Sequence, residues 1–99
     1  MSHSSKALRD PRVWGPVYWK TYDMIAKTYP HRPTKKHQKA LLEFFHSQKY
    51  LIPCQKCVKN YRKIYSNYPP RVESRKALQD WLKILKEEVA KHAAASKKK

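Results

Sequence analysis

A single glycine, Gly15, occurs in 99 residues, and this scarcity narrows the folds open to the chain. Compact sheets need tight turns, and the favoured hairpin turns use glycine to reach positive φ. Seven prolines, with many Lys, Leu and Ala residues, suit helices separated by proline-marked connectors instead. We therefore expect an all-α protein. The length supports one small domain, whose few elements need help from a partner, a cofactor or a cross-link.

Hydrophobic periodicity resolves four helices. The first is expected from near Pro16, a residue suited to a first helical turn, with Tyr18, Tyr22, Ile25, Ala26 and Tyr29 on one stripe, stopping before Pro30. Thr34 is the expected N-cap of the second, which turns Ala40, Leu41, Phe44 and Phe45 inward and ends near Lys49. After Pro53 a third runs from about Cys54 to Tyr65, with Val58, Tyr61, Ile64 and Tyr65 inward, and "NYPPR" stops it. Ser74 caps the last helix, where Leu78, Trp81, Leu82, Leu85 and Val89 follow the strongest helical period in the chain. These pieces predict an antiparallel four-helix bundle at residues 13–92, with a flexible arm at 1–12 and a frayed basic tail at 93–99.

Charge bears on partners. Twenty-three Lys and Arg against seven acids give +16, a surface that attracts nucleic acid, anionic lipid or acidic protein with a strong salt dependence. The runs "TKKHQK" and "SKKK" read as solvated faces, with nonspecific nucleic-acid association as a secondary property. No apolar run approaches the roughly 20 residues of a membrane span, and "MSHSSKALRD" lacks a secretory core, so the expected setting is intracellular and cytoplasmic, with no membrane.

The only two cysteines stand in "LIPCQKCVKNY". At i and i+3, Cys54 and Cys57 share a helix face, close enough to pair after small adjustment. In a first turn, unpaired N–H groups, the helix dipole and Lys56 with Lys59 favour a thiolate, the form that attacks disulfides. A zinc site would have to recruit from His3, His31, His37, His46 and His92, which is disfavoured, so no metal is expected. Two inert, half-buried thiols are the plain alternative. Redox chemistry suits the spacing best.

Three blocks together, "WGPVYWKTYDMIAKTYP", "LIPCQKCVKNY" and "SRKALQDWLKILKEEV", resemble the Erv/ALR family of FAD-dependent sulfhydryl oxidases. The resemblance implies a helical bundle with its fifth helix short or absent, holding FAD in its mouth beside a Cys54–Cys57 disulfide. It implies electrons passing from protein thiols, or from a separate thiol carrier, through that pair to FAD and on to oxygen, giving hydrogen peroxide. Cys57 would lie nearer the flavin and Cys54 nearer incoming thiols. Gly15, Trp19, Tyr29, Tyr61 and Val89 fall at flavin-site positions, and Asn60 stands where a histidine is often found. Asp23 occupies a usual histidine position, and Lys86, Glu87 and Glu88 replace most of the usual H-N-x-V-N run. Lys86 and Lys91 are then expected to meet the pyrophosphate or ribose by charge. The alternative is a flavin-free basic structural or nucleic-acid-associated (virion) protein on the same fold, in which Asp23 and Lys86 form a bundle ion pair. With no further cysteines, a dimer would be noncovalent. The compact form resembles those of large DNA viruses, and that resemblance implies a virus factory or virion as a further expected setting.

Overall fold

A computed structural model describes residues 5–97, and every regular element among them is helical. A single turn, α1 (Ser5–Leu8), precedes four long helices: α2 (Pro11–Thr28), α3 (Lys35–Leu51), α4 (Gln55–Asn67) and α5 (Arg75–Lys97). α5 lies between α2 and α4, and α3 packs on α4. No helix among the described residues is long and apolar enough to cross a membrane.

Local chemistry sets the boundaries. Thr34 caps α3 as expected, its hydroxyl accepting from the His37 N–H at 3.2 Å, and Ser74 caps α5 through the Ala77 N–H at 3.0 Å. The first long helix starts earlier than Pro16. Asp10 accepts from the Arg12 N–H at 2.9 Å, and Pro11 takes the opening position where a missing N–H costs nothing. Pro16 is tolerated inside the helix on an exposed face, helped by the absence of a Cβ on Gly15 ahead of it. Of the expected arm, residues 5–8 and 11–12 are thus helical, while 1–4 lie outside the described residues. α5 continues to Lys97, beyond the expected bundle end at residue 92.

The core gathers where the long helices meet. Trp81, Phe45, Leu78 and Leu85 are almost fully buried, with Tyr22 and Ala26 from α2 and Tyr61 and Ile64 from α4 closing around them. Rings meet edge to face from Tyr22 to Phe45 at 5.4 Å and from Phe45 to Trp81 at 4.7 Å. One inward assignment on α3 is wrong: Ala40 is exposed, and Gln48 is buried instead. At about 100° per residue Gln48 falls on the Leu41 stripe and Ala40 does not. Its amide is satisfied, accepting from the Tyr22 hydroxyl at 3.1 Å and donating to the Phe44 carbonyl at 3.3 Å.

Burial pushes the Tyr22 and Tyr61 hydroxyls well above the ordinary tyrosine range. Because the folded value is raised above the unfolded one, the stability contributed is complete below pH of about 10 and is lost as pH rises further. We expect unfolding free energy to fall above that pH by about 1.4 kcal/mol per pH unit for each of the two. Urea titrations at stepped alkaline pH test this, and a flat profile would remove the burial argument.

Candidate active site

Three runs of sequence wall one cleft of about 490 Å³, the size of a small-ligand site. From α2 come Trp14, Gly15, Tyr18, Trp19 and Tyr22, spaced to share one face. From α5 come Leu85, Val89 and His92, at i, i+4 and i+7. Across from them the start of α4 presents Cys54, Cys57, Asn60 and Tyr61, with Lys56 at the rim. No Asp or Glu lines this cleft.

Cys54 and Cys57 form a disulfide, with their Cα atoms 5.2 Å apart. Cys54 is the N-cap of α4 rather than a residue of its first turn, and its sulfur accepts from the Cys57 N–H at 3.3 Å. That donor and the unpaired N–H groups of the helix start favour negative charge on the Cys54 sulfur once the bond opens. The pair is half-buried, and both sulfur-bearing residues line the cleft. Among the described residues no group of three or more His, Cys, Asp or Glu stands together as a metal site.

The aromatic wall is built to be rigid. Trp14 meets Tyr18 at 4.9 Å, Trp19 meets Tyr22 at 5.8 Å, and the Tyr61 hydroxyl donates to the Phe45 carbonyl at 2.7 Å. A Cβ added at Gly15 would meet nothing within 4 Å, so this turn of α2 opens onto free space beside the rings. Flat apolar walls next to a disulfide fit a planar aromatic cofactor.

Trp19 and Tyr22 are shared with a second depression of about 450 Å³, lined also by Lys20, Asp23, Lys83 and Lys86. Asp23 does not pair with Lys86, contrary to the bundle-ion-pair expectation. It pairs with Lys27 one turn along its own helix at 2.9 Å, while the Lys86 ammonium stands 6.0 Å from the Trp19 ring. Lys91 is drawn to Glu88 at 2.8 Å instead. Three lysines around one carboxylate fit the anionic part of a nucleotide.

Of the residues expected at the site, Gly15, Trp19, Tyr61 and Val89 therefore join Cys54 and Cys57 at the cleft, and Asp23 and Lys86 sit at the adjoining depression. Tyr29 does not line either. It lies ten residues beyond Trp19, and its hydroxyl donates to the Val72 carbonyl at 2.7 Å, fastening the end of α2 to the segment before α5. Sequence reasoning passed over Trp14, Tyr18, Leu85 and His92 as cleft residues. The signal for His92 was available, because the stripe of Leu85 and Val89 reaches it at the next helical step.

Comparison with known proteins identifies relatives of this chain. A protein of Acanthamoeba polyphaga mimivirus named a probable FAD-linked sulfhydryl oxidase is 35% identical over 74 residues, 72% of this chain and 52% of the relative. An FAD-linked sulfhydryl oxidase of Schizosaccharomyces pombe is 33% identical over 65 residues, covering 66% and 34%. The mitochondrial FAD-linked sulfhydryl oxidase of Saccharomyces cerevisiae is 30% identical over 73 residues, covering 74% and 39%. The chain thus spans about half or less of the length of these relatives. The Erv1 / Alr family description matches residues 16–99, a stretch that holds both cysteines, the α4 wall and the α5 wall of the cleft. This chain, with its disulfide set among those walls, belongs to the Erv1/Alr family.

Proposed function

We propose that the protein is an FAD-dependent thiol oxidase that forms disulfides in protein thiols. The observation that carries this reading is the Cys54–Cys57 disulfide opening onto an aromatic cleft. A substrate thiolate attacks the Cys54 sulfur, the more open of the two by resemblance to the family, and Cys57 leaves as a thiolate. A second substrate thiol then attacks the substrate sulfur of the mixed disulfide and releases Cys54, so the substrate loses two electrons and two protons. The Cys57 N–H and the α4 N-terminus hold the charge on the released Cys54 sulfur. FAD, when bound, supplies a two-electron path from the resulting dithiol to oxygen, which leaves as hydrogen peroxide.

The aromatic cleft is the place for the flavin ring, and Lys20, Lys83 and Lys86 beyond Trp19 are the counter-charges for its phosphates. A noncovalent homodimer belongs to the same reading, supported by Val13, Val17 and Met24 exposed along the outer side of α2. The viral relative supports a viral, intracellular setting, in a virus factory or virion.

The test is the visible absorption spectrum of the purified protein before and after a dithiol is added without oxygen. A flavin band that bleaches and returns in air supports the reading, and a protein colourless even after incubation with FAD overturns it. Trp19→Ala, which removes the ring shared by both depressions, is expected to lower flavin occupancy at least about tenfold. Unchanged occupancy would move the flavin elsewhere.

A further inference from the structure

Ion pairs are unevenly distributed over this molecule. The five among the described residues join Arg12 to Asp10, Lys27 to Asp23, Arg71 to Glu73, Lys76 to Asp80 and Lys91 to Glu88. None involves α3 or α4. Those two helices carry eight Lys and Arg against one acid, Glu43, which stands two turns before Tyr50. Among the described residues none of their cations is therefore paired with a carboxylate.

The same two helices meet at the redox disulfide, and their junction exposes apolar groups. Tyr50 is 68% and Leu51 61% exposed. The face is organised, because the Arg62 guanidinium lies 5.0 Å from the Tyr50 ring and donates to the Lys49 carbonyl at 2.9 and 3.2 Å. Lys59 and Lys63 are exposed beside Arg62 on the outer side of α4. Leu51 precedes Cys54 by three residues, which limits their separation to about 11 Å.

We propose that this corner, Tyr50 and Leu51 with Lys59, Arg62 and Lys63, docks an acidic, extended segment of the substrate protein and presents its cysteines to Cys54. The inference rests on the thiol-oxidase reading and adds the substrate class. An extended chain advances about 3.3 Å per residue, so side chains three or four positions from a cysteine held at Cys54 reach Leu51 and Tyr50. Carboxylates further along meet Arg62 and Lys63. A basic segment would find no partner on this face. A nucleic acid bound here would cover Cys54 and bring no thiol to it, which is why the peptide is the favoured occupant.

The experiment compares three peptides sharing one Cys-x-x-Cys and differing only in acidic, neutral or basic flanks. At low salt the acidic peptide is expected to show kcat/KM at least about tenfold above the basic one, through KM, with the difference closing at high salt. In Arg62→Glu with Lys63→Glu that preference collapses to within about twofold or inverts. Arg62 also anchors the end of α3, so Lys63→Glu alone, at an exposed position, provides a second variant, in which the preference falls part of the way. Equal handling of the three peptides by a protein that oxidises dithiothreitol overturns the docking proposal and leaves the oxidase reading intact. No oxidation of dithiothreitol overturns the oxidase reading. Fluorescence anisotropy of the acidic peptide with serines in place of both cysteines then decides docking independently: binding stronger than that of the basic peptide supports it, and equal binding overturns it. Salt-sensitive retention of a DNA duplex that is lost in the double variant, together with equal peptide handling, reassigns the face to nucleic acid and overturns the proposal.

Discussion

Cys57→Ser is expected to abolish oxidation of dithiothreitol, by at least about a thousandfold, while the flavin absorption band stays in place. The disulfide is the only sulfur pair in the chain, so without Cys57 no protein group remains to take two electrons from a substrate. The fold should survive. A cross-link between residues three apart contributes on the order of 2 kcal/mol or less, and Cys54 keeps its place as the cap of α4. Cys54→Ser is the matched control, because a serine oxygen is itself a good N-cap. Both variants should retain the helical circular dichroism of the parent and lose turnover alike. Full turnover in either would take the disulfide out of the mechanism.

Trp81→Ala is expected to cost about 3–5 kcal/mol of stability, a large share of the 5–15 kcal/mol typical of a small domain. Trp81 is fully buried against Phe45, so its removal leaves a cavity in the middle of the bundle that neighbours fill only in part. Its indole N–H also donates to the Tyr68 carbonyl at 2.7 Å, tying α5 to the end of α4. Trp81→Phe keeps most of the ring and loses that bond, at a cost of about 1–2 kcal/mol for the bond alone. Urea unfolding followed by far-UV circular dichroism separates the two. A loss under about 1 kcal/mol for the alanine variant would mean the core closes over the gap.

The helices legible in the sequence were those with a capping residue followed by a clean stripe, as at Thr34 and Ser74. The start of α2 was misplaced because two prolines compete for the opening position. The pair Asp10–Pro11 supplies both an acceptor and a fixed φ, whereas Pro16 supplies only the latter. Ala40 reads as inward by its apolar character but lies off the angular register of the stripe, whereas Gln48 lies on it, and a buried amide with both ends satisfied by Tyr22 and Phe44 meets no penalty. At the site, the family resemblance named Gly15, Trp19, Tyr61 and Val89, and these line the cleft beside the disulfide. Long side chains were harder. Asp23 and Lys86 had the right placement to meet, but Lys27 one turn away gives Asp23 a partner on its own helix. Tyr29 matched a cofactor position in pattern and serves as a latch in the structure, a distinction carried by where Val72 lies and by nothing in the sequence near Tyr29.

The placement of the tryptophans gives the molecule two sets of optical reporters. Trp14 and Trp19 stand in the cleft with the disulfide, while Trp81 is sealed in the core against Phe45, away from solvent. Indole emission depends on the polarity around the ring and on nearby quenchers, so light from the first two follows what enters the cleft. Light from the third follows whether the bundle is closed. Occupancy and folding can thus be watched separately in one unlabelled protein.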